Sequence, residues 1–371
     1  MKVLITLNGT YKWLWAPLSE QLVKYHKANV VLVTPSDSLS DYFKDKIKTD
    51  QNNIVLKKFP NVYDYIIKKK LEHNVNLKKL LDYEKKYNIS IIKKNIFPDR
   101  QLGHKYYISA PNYGRAKVAN NINFNNRLNA VNFSFNFWEK EVAKLKPDLI
   151  VCMGGMFEIN TSPLKIIANK KNIPIRYLTP ARVHDLFYWA KDDLGTLPTN
   201  LQNKFKNYHK IPLSKLETSQ AIKRKTDLTD KIIVTGLSTT NISKIPFYII
   251  RKCREIIVSY FKNKQKFKQG VSFISNLKYL INGAINQKYN DFYAKKKLSP
   301  EILKKSVFFP LQQVPEYTSL NLGWAHDQLN LILEISLSLP VDYKLIVKEH
   351  YFAINVRNIS FYKTIKELPN V

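Results

Sequence analysis

Cysteine is almost missing: Cys152 and Cys253 are the only two in 371 residues. Neither a disulfide framework nor a thiolate metal cluster can be built from so few, and both are read as buried apolar residues in a reducing compartment. Glycine is scarce as well, with 10 in the chain. No G-x-G-x-x-G follows the first strand, which argues against a tightly held dinucleotide. No apolar run reaches the roughly 18 residues that would signal a membrane-crossing helix. The N-terminus passes straight into a strand, without the apolar core and cleavage site of a secretory signal. A cytoplasmic protein is the expectation. Acidic residues are the other shortage: 29 Asp and Glu against 60 Lys and Arg leave a net charge of +31. No Asp-x-Asp occurs, so neither a metal nor a cofactor is expected.

What is present is otherwise ordinary. With 44% hydrophobic and 24% charged residues, the composition is that of a globular protein, and the length suits two domains. The lysine excess would draw anionic lipid headgroups, acidic glycans or nucleic acid. No recognised nucleic-acid motif occurs, so nucleic acid is not an expected partner.

The N-terminal half reads as alternating strands and helices, the pattern of a parallel sheet with right-handed crossovers. Lys2–Leu7 is a strand ending at Asn8-Gly9; a helix follows from about Pro17 to Lys27, and Asn29–Thr34 is the next strand. Tyr11, Trp13 and Trp15 either stack on a sugar ring or belong to the core. His73 and His104 have no metal-spaced partners and are read as surface residues. Phe135–Lys146 is a helix. Leu149–Met153 is a strand closed by Gly154-Gly155, a pair that lets a ligand or a helix approach the backbone. Ile173–Leu178 is a further strand, followed by the loop Thr179–Asp185.

Those two loops carry the candidate chemistry. Glu158, Asp185 and His184 can each take a proton from an acceptor hydroxyl, provided they lie within hydrogen-bond reach. Arg182 can hold an acidic group in a two-pronged pair. The structural alternatives are a Glu158 that caps its helix and an Asp185 that pairs with Arg182. Asn8, Gly9, Gly154, Gly155 and Arg182 are the candidate binding residues at these strand ends. From 191 to 305 the chain is lysine-rich and helical. Phe247–Lys268 places apolar residues on one face and Arg and Lys on much of the rest, a pattern fitting either an anionic membrane surface or packing on the protein.

Ser306–His350 is the most informative segment. Val307-Phe308-Phe309, closed by Pro310, reads as a buried strand. Asp327–Leu337 reads as a helix with Leu329, Ile332, Leu333 and Leu337 on one face, ended by Pro340. Lys344–Val347 reads as a second buried strand that delivers Lys348, Glu349 and His350 to its C-terminal end, where open α/β sheets place ligands. Lys348 supplies a compact positive charge and His350 a donor for phosphate. Glu349 either fixes their geometry or holds a ribose hydroxyl. The helix N-terminus near Asp327 adds partial positive charge.

Pro310-Leu311, Gln312-Gln313, Pro315-Glu316, Gly323, Asp327-Gln328, Leu339-Pro340 and Val347-Lys348-Glu349-His350, with Arg357, Phe361-Tyr362 and Leu368-Pro369-Asn370-Val371 beyond them, resemble the capsule-polysaccharide biosynthesis family of bacterial glycosyltransferases, related to the Kdo transferases. Tyr351 departs from the family pattern, which has proline there. The resemblance implies an α/β, GT-B-like fold of two Rossmann-like domains facing a cleft, with the C-terminal one incomplete. The boundaries that follow are 1–190 for the acceptor domain, 191–305 for a helical connector and 306–371 for the start of the nucleotide-sugar domain. It implies donor contacts from Gln312, Gln313, Glu316, Gly323, Asp327, Gln328, Lys348, Glu349 and His350, and acceptor contacts from Asn8, Gly9, Gly154, Gly155 and Arg182. The expected activity is transfer from a nucleotide-sugar, CMP-linked by preference and UDP-linked as the other option, to a glycan or lipid-linked acceptor. Attachment to the inner face of an anionic membrane is compatible with that activity. A non-catalytic glycan-binding or assembly protein, and a sugar-nucleotide epimerase, are the alternatives.

Overall fold

The computed structural model describes residues 1–7, 12–34, 37–47, 53–67, 74–107, 109–111, 122–154, 156, 158–181, 187–208, 247, 250, 251, 254, 273–293, 298–314, 327–350 and 353–371. They fall into two compact units, one of residues 1–102 and 122–210, the other of 103–121 and 211–371. The sequence-drawn boundary at 190 does not anticipate that 103–121 groups with the C-terminal part of the chain.

In the first unit the elements run β1 (Lys2–Thr6), α1 (Lys12–His26), β2 (Asn29–Thr34), α2 (Asp37–Lys46), β3 (Ile54–Lys58), α3 (Val62–Ile67), α4 (Leu77–Tyr87), a π-helical turn (Ile92–Ile96), α5 (Phe124–Leu145), β4 (Leu149–Met153), α6 (Ser162–Lys170), β5 (Ile175–Pro180), β6 (Phe187–Ala190) and α7 (Thr199–Tyr208). The strands form one sheet in the order β3-β2-β1-β4-β5-β6. All pairings are parallel except β5 with β6, which is antiparallel. This is the mixed α/β, Rossmann-like arrangement that strand–helix alternation predicts. Val3, Ile5, Val30, Leu32 and Val151 are buried with Trp15 and Phe43, as strands covered on both faces require. Trp15 therefore belongs to the core, whereas Trp13 is 50% exposed and meets Phe187 edge-on.

Two helices begin earlier than their sequence pattern shows. α1 runs through Pro17 instead of starting there. α5 starts eleven residues before Phe135, where the Asn123 side chain accepts from the Asn126 N–H at 2.8 Å. Polar residues such as Asn129 and Ser134 interrupt its apolar pattern, yet both are buried. His104 is buried, not superficial.

In the second unit the described elements are α8 (Phe273–Tyr293), α9 (Pro300–Lys304), β7 (Ser306–Pro310), α10 (Gln328–Ser338), β8 (Lys344–Lys348) and α11 (Ile359–Glu367). β7 and β8 pair in parallel, Val307 beside Leu345 and Phe309 beside Val347. Leu311, Ile332, Leu345, Ile354, Phe361 and Tyr362 form the core. Two expectations fail here. β7 is not a buried strand, because Phe308 is 57% exposed, with Val307 also exposed. The buried stripe of α10 is Gln328, Ile332 and Ser336, while Leu333 and Leu337 face outward. An apolar run fixes strand propensity, but burial depends on what covers the strand. Most of the Phe247–Lys268 helix lies outside the described residues.

Candidate functional site

In the first unit, β4 and β5 are parallel neighbours, so the loops that follow them leave the sheet at one edge. β4 is followed by Gly154, whose φ of +60° is left-handed and suits glycine. Its N–H donates to the Leu178 carbonyl at 3.1 Å. Glu158 follows, exposed at the start of a firmly held loop. The Glu158 carbonyl accepts from the N–H groups of Thr161 and Ser162 at 2.9 and 2.8 Å, so its backbone helps to start α6.

The loop after Glu158 is held by Asp99. That carboxylate is fully buried and accepts from the N–H groups of Ile159, Gln101 and Leu102 at 2.8, 2.8 and 2.9 Å, and from the Tyr63 hydroxyl. Trp138 Nε1 donates to the Asn160 carbonyl at 2.7 Å, and Asn95 Nδ2 to Ser162 Oγ at 2.8 Å. Burial pushes the Asp99 carboxyl above its usual range, against the pull of these donors. None of these holding residues was legible from the sequence. Asn8, Gly9, Gly155, Arg182, His184 and Asp185 lie outside the described residues. The catalytic and acceptor-binding candidates thus reduce, among described residues, to Gly154 and Glu158.

In the second unit the donor candidates converge. The Leu311 N–H donates to the Lys348 carbonyl at 2.8 Å, so β7 and β8 end side by side. The Gln312 backbone exchanges two bonds with the Gln328 amide, at 3.0 and 3.1 Å. That exchange ties the end of β7 to the first residue of α10. Asp327 is the N-cap of α10, accepting from the Leu329 N–H at 3.0 Å and from the Ser109 hydroxyl.

Arg357 joins these pieces. It is wholly buried. Nε donates to Glu349 Oε2 at 2.8 Å, and one terminal nitrogen donates to the Gln312 carbonyl at 2.9 Å and to Gln328 Oε1 at 3.3 Å. The other reaches the Ser109 carbonyl at 3.4 Å, and the guanidinium lies 4.5 Å from the Phe361 ring centre. A rigid planar fork with five donors is the side chain that can serve so many acceptors at once. Glu349 also accepts from the Tyr362 hydroxyl at 2.7 Å and the His350 N–H at 2.6 Å. Burial, with Glu349 beside it, pushes the Tyr362 hydroxyl up. The Glu349 carboxylate is thus engaged by Arg357, Tyr362 and the His350 backbone N–H. The Arg357 turn is pinned from α8: Asn286 Nδ2 donates to the carbonyls of Ile354 and Arg357 at 2.7 and 2.8 Å, and Asn282 Nδ2 to that of Asn355 at 3.0 Å.

Lys348 and Gln312 are exposed at this strand end, with Gln313 and His350 half-buried. Glu316, Gly323 and Tyr351 lie outside the described residues. A cavity of about 430 Å³ opens nearby, between Tyr289, Tyr293, Ile302, Leu345 and Tyr362. It touches the candidate donor set only through Glu349, so its lining does not define that site. Among the described residues no group of His, Cys, Asp and Glu could hold a metal ion.

No protein-family model matches the chain, and no curated protein matches it significantly. Among solved structures, one chain from an S. aureus MnaA–UDP co-structure aligns over all of this chain and 66% of its own, at 12% identity and a TM-score of 0.24. This chain thus spans slightly less than two thirds of that neighbour. A likeness so slight carries no argument about fold or ligand.

Proposed function

We propose that the chain is a nucleotide-sugar-dependent glycosyltransferase of surface-polysaccharide assembly, built on a GT-B plan. One observation carries the reading. The segments around Gln312, Asp327-Gln328 and Lys348–His350, scattered in sequence, meet at the C-terminal ends of two parallel strands through Arg357. Ligands of open α/β sheets bind at such strand ends. In this reading Lys348 and His350 meet the donor phosphate, Gln312 and Gln313 meet its base or sugar, and the Asp327-capped N-terminus of α10 adds its dipole. Glu349 and Arg357 are positioning residues. Glu158, exposed on a loop fixed by Asp99, serves as the base that takes the acceptor proton. The nucleotide is CMP-linked in the favoured version and UDP-linked in the other.

Titration calorimetry with CMP, CDP, UDP and ADP tests this. Saturable binding of a cytidine or uridine nucleotide, weakened about tenfold or more in Lys348→Ala by loss of a charge-assisted contact, supports the site. Because Lys348 is exposed, that variant should fold normally. Absence of nucleotide binding alongside retained glycan binding would instead identify a non-catalytic member of a glycan-assembly system. Turnover of the nucleotide-sugar without acceptor would identify an epimerase.

A further inference from the structure

A different part of the molecule carries a surface that the transferase reading does not use. α4 buries Leu80, Tyr83 and Tyr87. Along one flank of that buried face it presents Leu77 at 58% and Leu81 at 54% exposure, one turn apart. Lys78, Asp82 and Lys85 are exposed on the side of these leucines that faces away from the core, and the half-buried Glu84 borders them on the other. Asn88 takes a left-handed C-cap, and Glu84 accepts from the Ile91 N–H at 2.7 Å. The π-helical turn then exposes Ile92, at 42%, with Lys93 and Lys94 beside it. Lys79 and Lys86 are engaged elsewhere, by Asn136 and by Glu139.

Two exposed leucines one turn apart with exposed lysines beside them make a small apolar and cationic patch. Exposed apolar side chains within a cationic rim suit the boundary of an anionic bilayer, where the apolar groups enter the acyl region and the lysines meet phosphate. We propose that α4 and the π-helical turn after it form a docking surface for anionic membrane. The net charge of +31 draws the protein to such a surface at long range, and Leu77, Leu81 and Ile92 fix where it settles. Charge complementarity decides the occupant, since a second copy of this chain would bring lysines against lysines. This surface belongs to the first unit and the proposed nucleotide site to the second, so either can be lost without the other.

The test uses the full chain and sedimentation with vesicles of phosphatidylcholine alone or with phosphatidylglycerol. Wild type should bind only the anionic vesicles, and added salt should weaken the binding. Leu77→Gln/Leu81→Gln should lower the partition coefficient about tenfold, with unchanged melting temperature and unchanged retention on heparin. Lys78→Gln/Lys85→Gln/Lys93→Gln/Lys94→Gln should lower binding to vesicles and to heparin together. Binding by the leucine variant equal to wild type would overturn the proposal, as charge spread over the whole protein would then suffice. So would a failure of wild type to bind anionic vesicles, or a dimer that the leucine substitutions convert to monomer.

Discussion

Arg357 gathers the ends of β7 and β8 and the start of α10 around one buried guanidinium. With its head group buried and its donors spread over Glu349, Gln312, Gln328 and Ser109, truncation strands a carboxylate and several carbonyls together. Removing one partner of a buried pair costs about 3–5 kcal/mol. Arg357→Ala should therefore lose roughly that much in urea unfolding, and Arg357→Lys should recover little, because a point charge cannot reproduce the fork. Retention of wild-type stability by the lysine variant would refute the fork argument. The sequence showed Arg357 only as one more position fitting a family pattern. Its role stayed hidden because a buried arginine looks like any surface arginine until its partners are known. Lys348 and Glu349 were easier to find, since a strand end is visible in the pattern of the chain. Ser109, more than two hundred residues from Arg357, left no signal.

At the level of elements, close approach and ion pairing explain what patterning could not. Gly283 lies on α8 where an added Cβ would sit 2.1 Å from Asn355 Oδ1. Gly283→Ala should cost about 1–3 kcal/mol by overpacking, despite alanine's better helix propensity. Gly283→Ala combined with Asn355→Ala should regain part of it. Additive losses in a double-mutant cycle would refute the contact. α4 and α5 are linked through Glu139, which accepts from Lys86 Nζ and the Tyr87 hydroxyl, each at 2.6 Å. Partial burial works to raise the Glu139 pKa, but the donations from Lys86 and Tyr87 outweigh it and hold the carboxyl below its ordinary value. Its folded pKa is thus below the unfolded one. The stability it contributes is present above the unfolded pKa and is lost as pH falls through the folded one. Lys86 is well exposed, so the effect should stay under about 1 kcal/mol. On acidification from about pH 6 to pH 3, wild type should lose more stability than Glu139→Gln, as urea midpoints would record. Parallel loss in the two proteins would count against the link. The helix α10 shows the reverse problem: its leucines repeat at helical spacing, yet Gln328 and Ser336 face inward. Gln328 is buried because it closes the exchange with Gln312, and Ser336 because it hydrogen-bonds with Asn370.

For the whole molecule, the first unit was legible because its chemistry is repetitive. Short β-rich runs separated by helices leave few arrangements other than a parallel sheet, and the observed strand order is one of these. The division into units was less legible. Residues 103–121 leave the first unit and group with residues after 210 before the chain returns at α5, and no shift in composition marks either crossing. That path has a temporal consequence for a chain made from its N-terminus. Once residue 210 has been synthesised, the first unit has all its strands and helices. Ser109 by then has none of its later partners, because Asp327 and Arg357 are 218 and 248 residues further on. Contacts so distant in sequence form slowly, since a long loop must close before they contribute any stability. The second unit is thus assembled last, and its polar centre is sealed by a segment that has waited the longest.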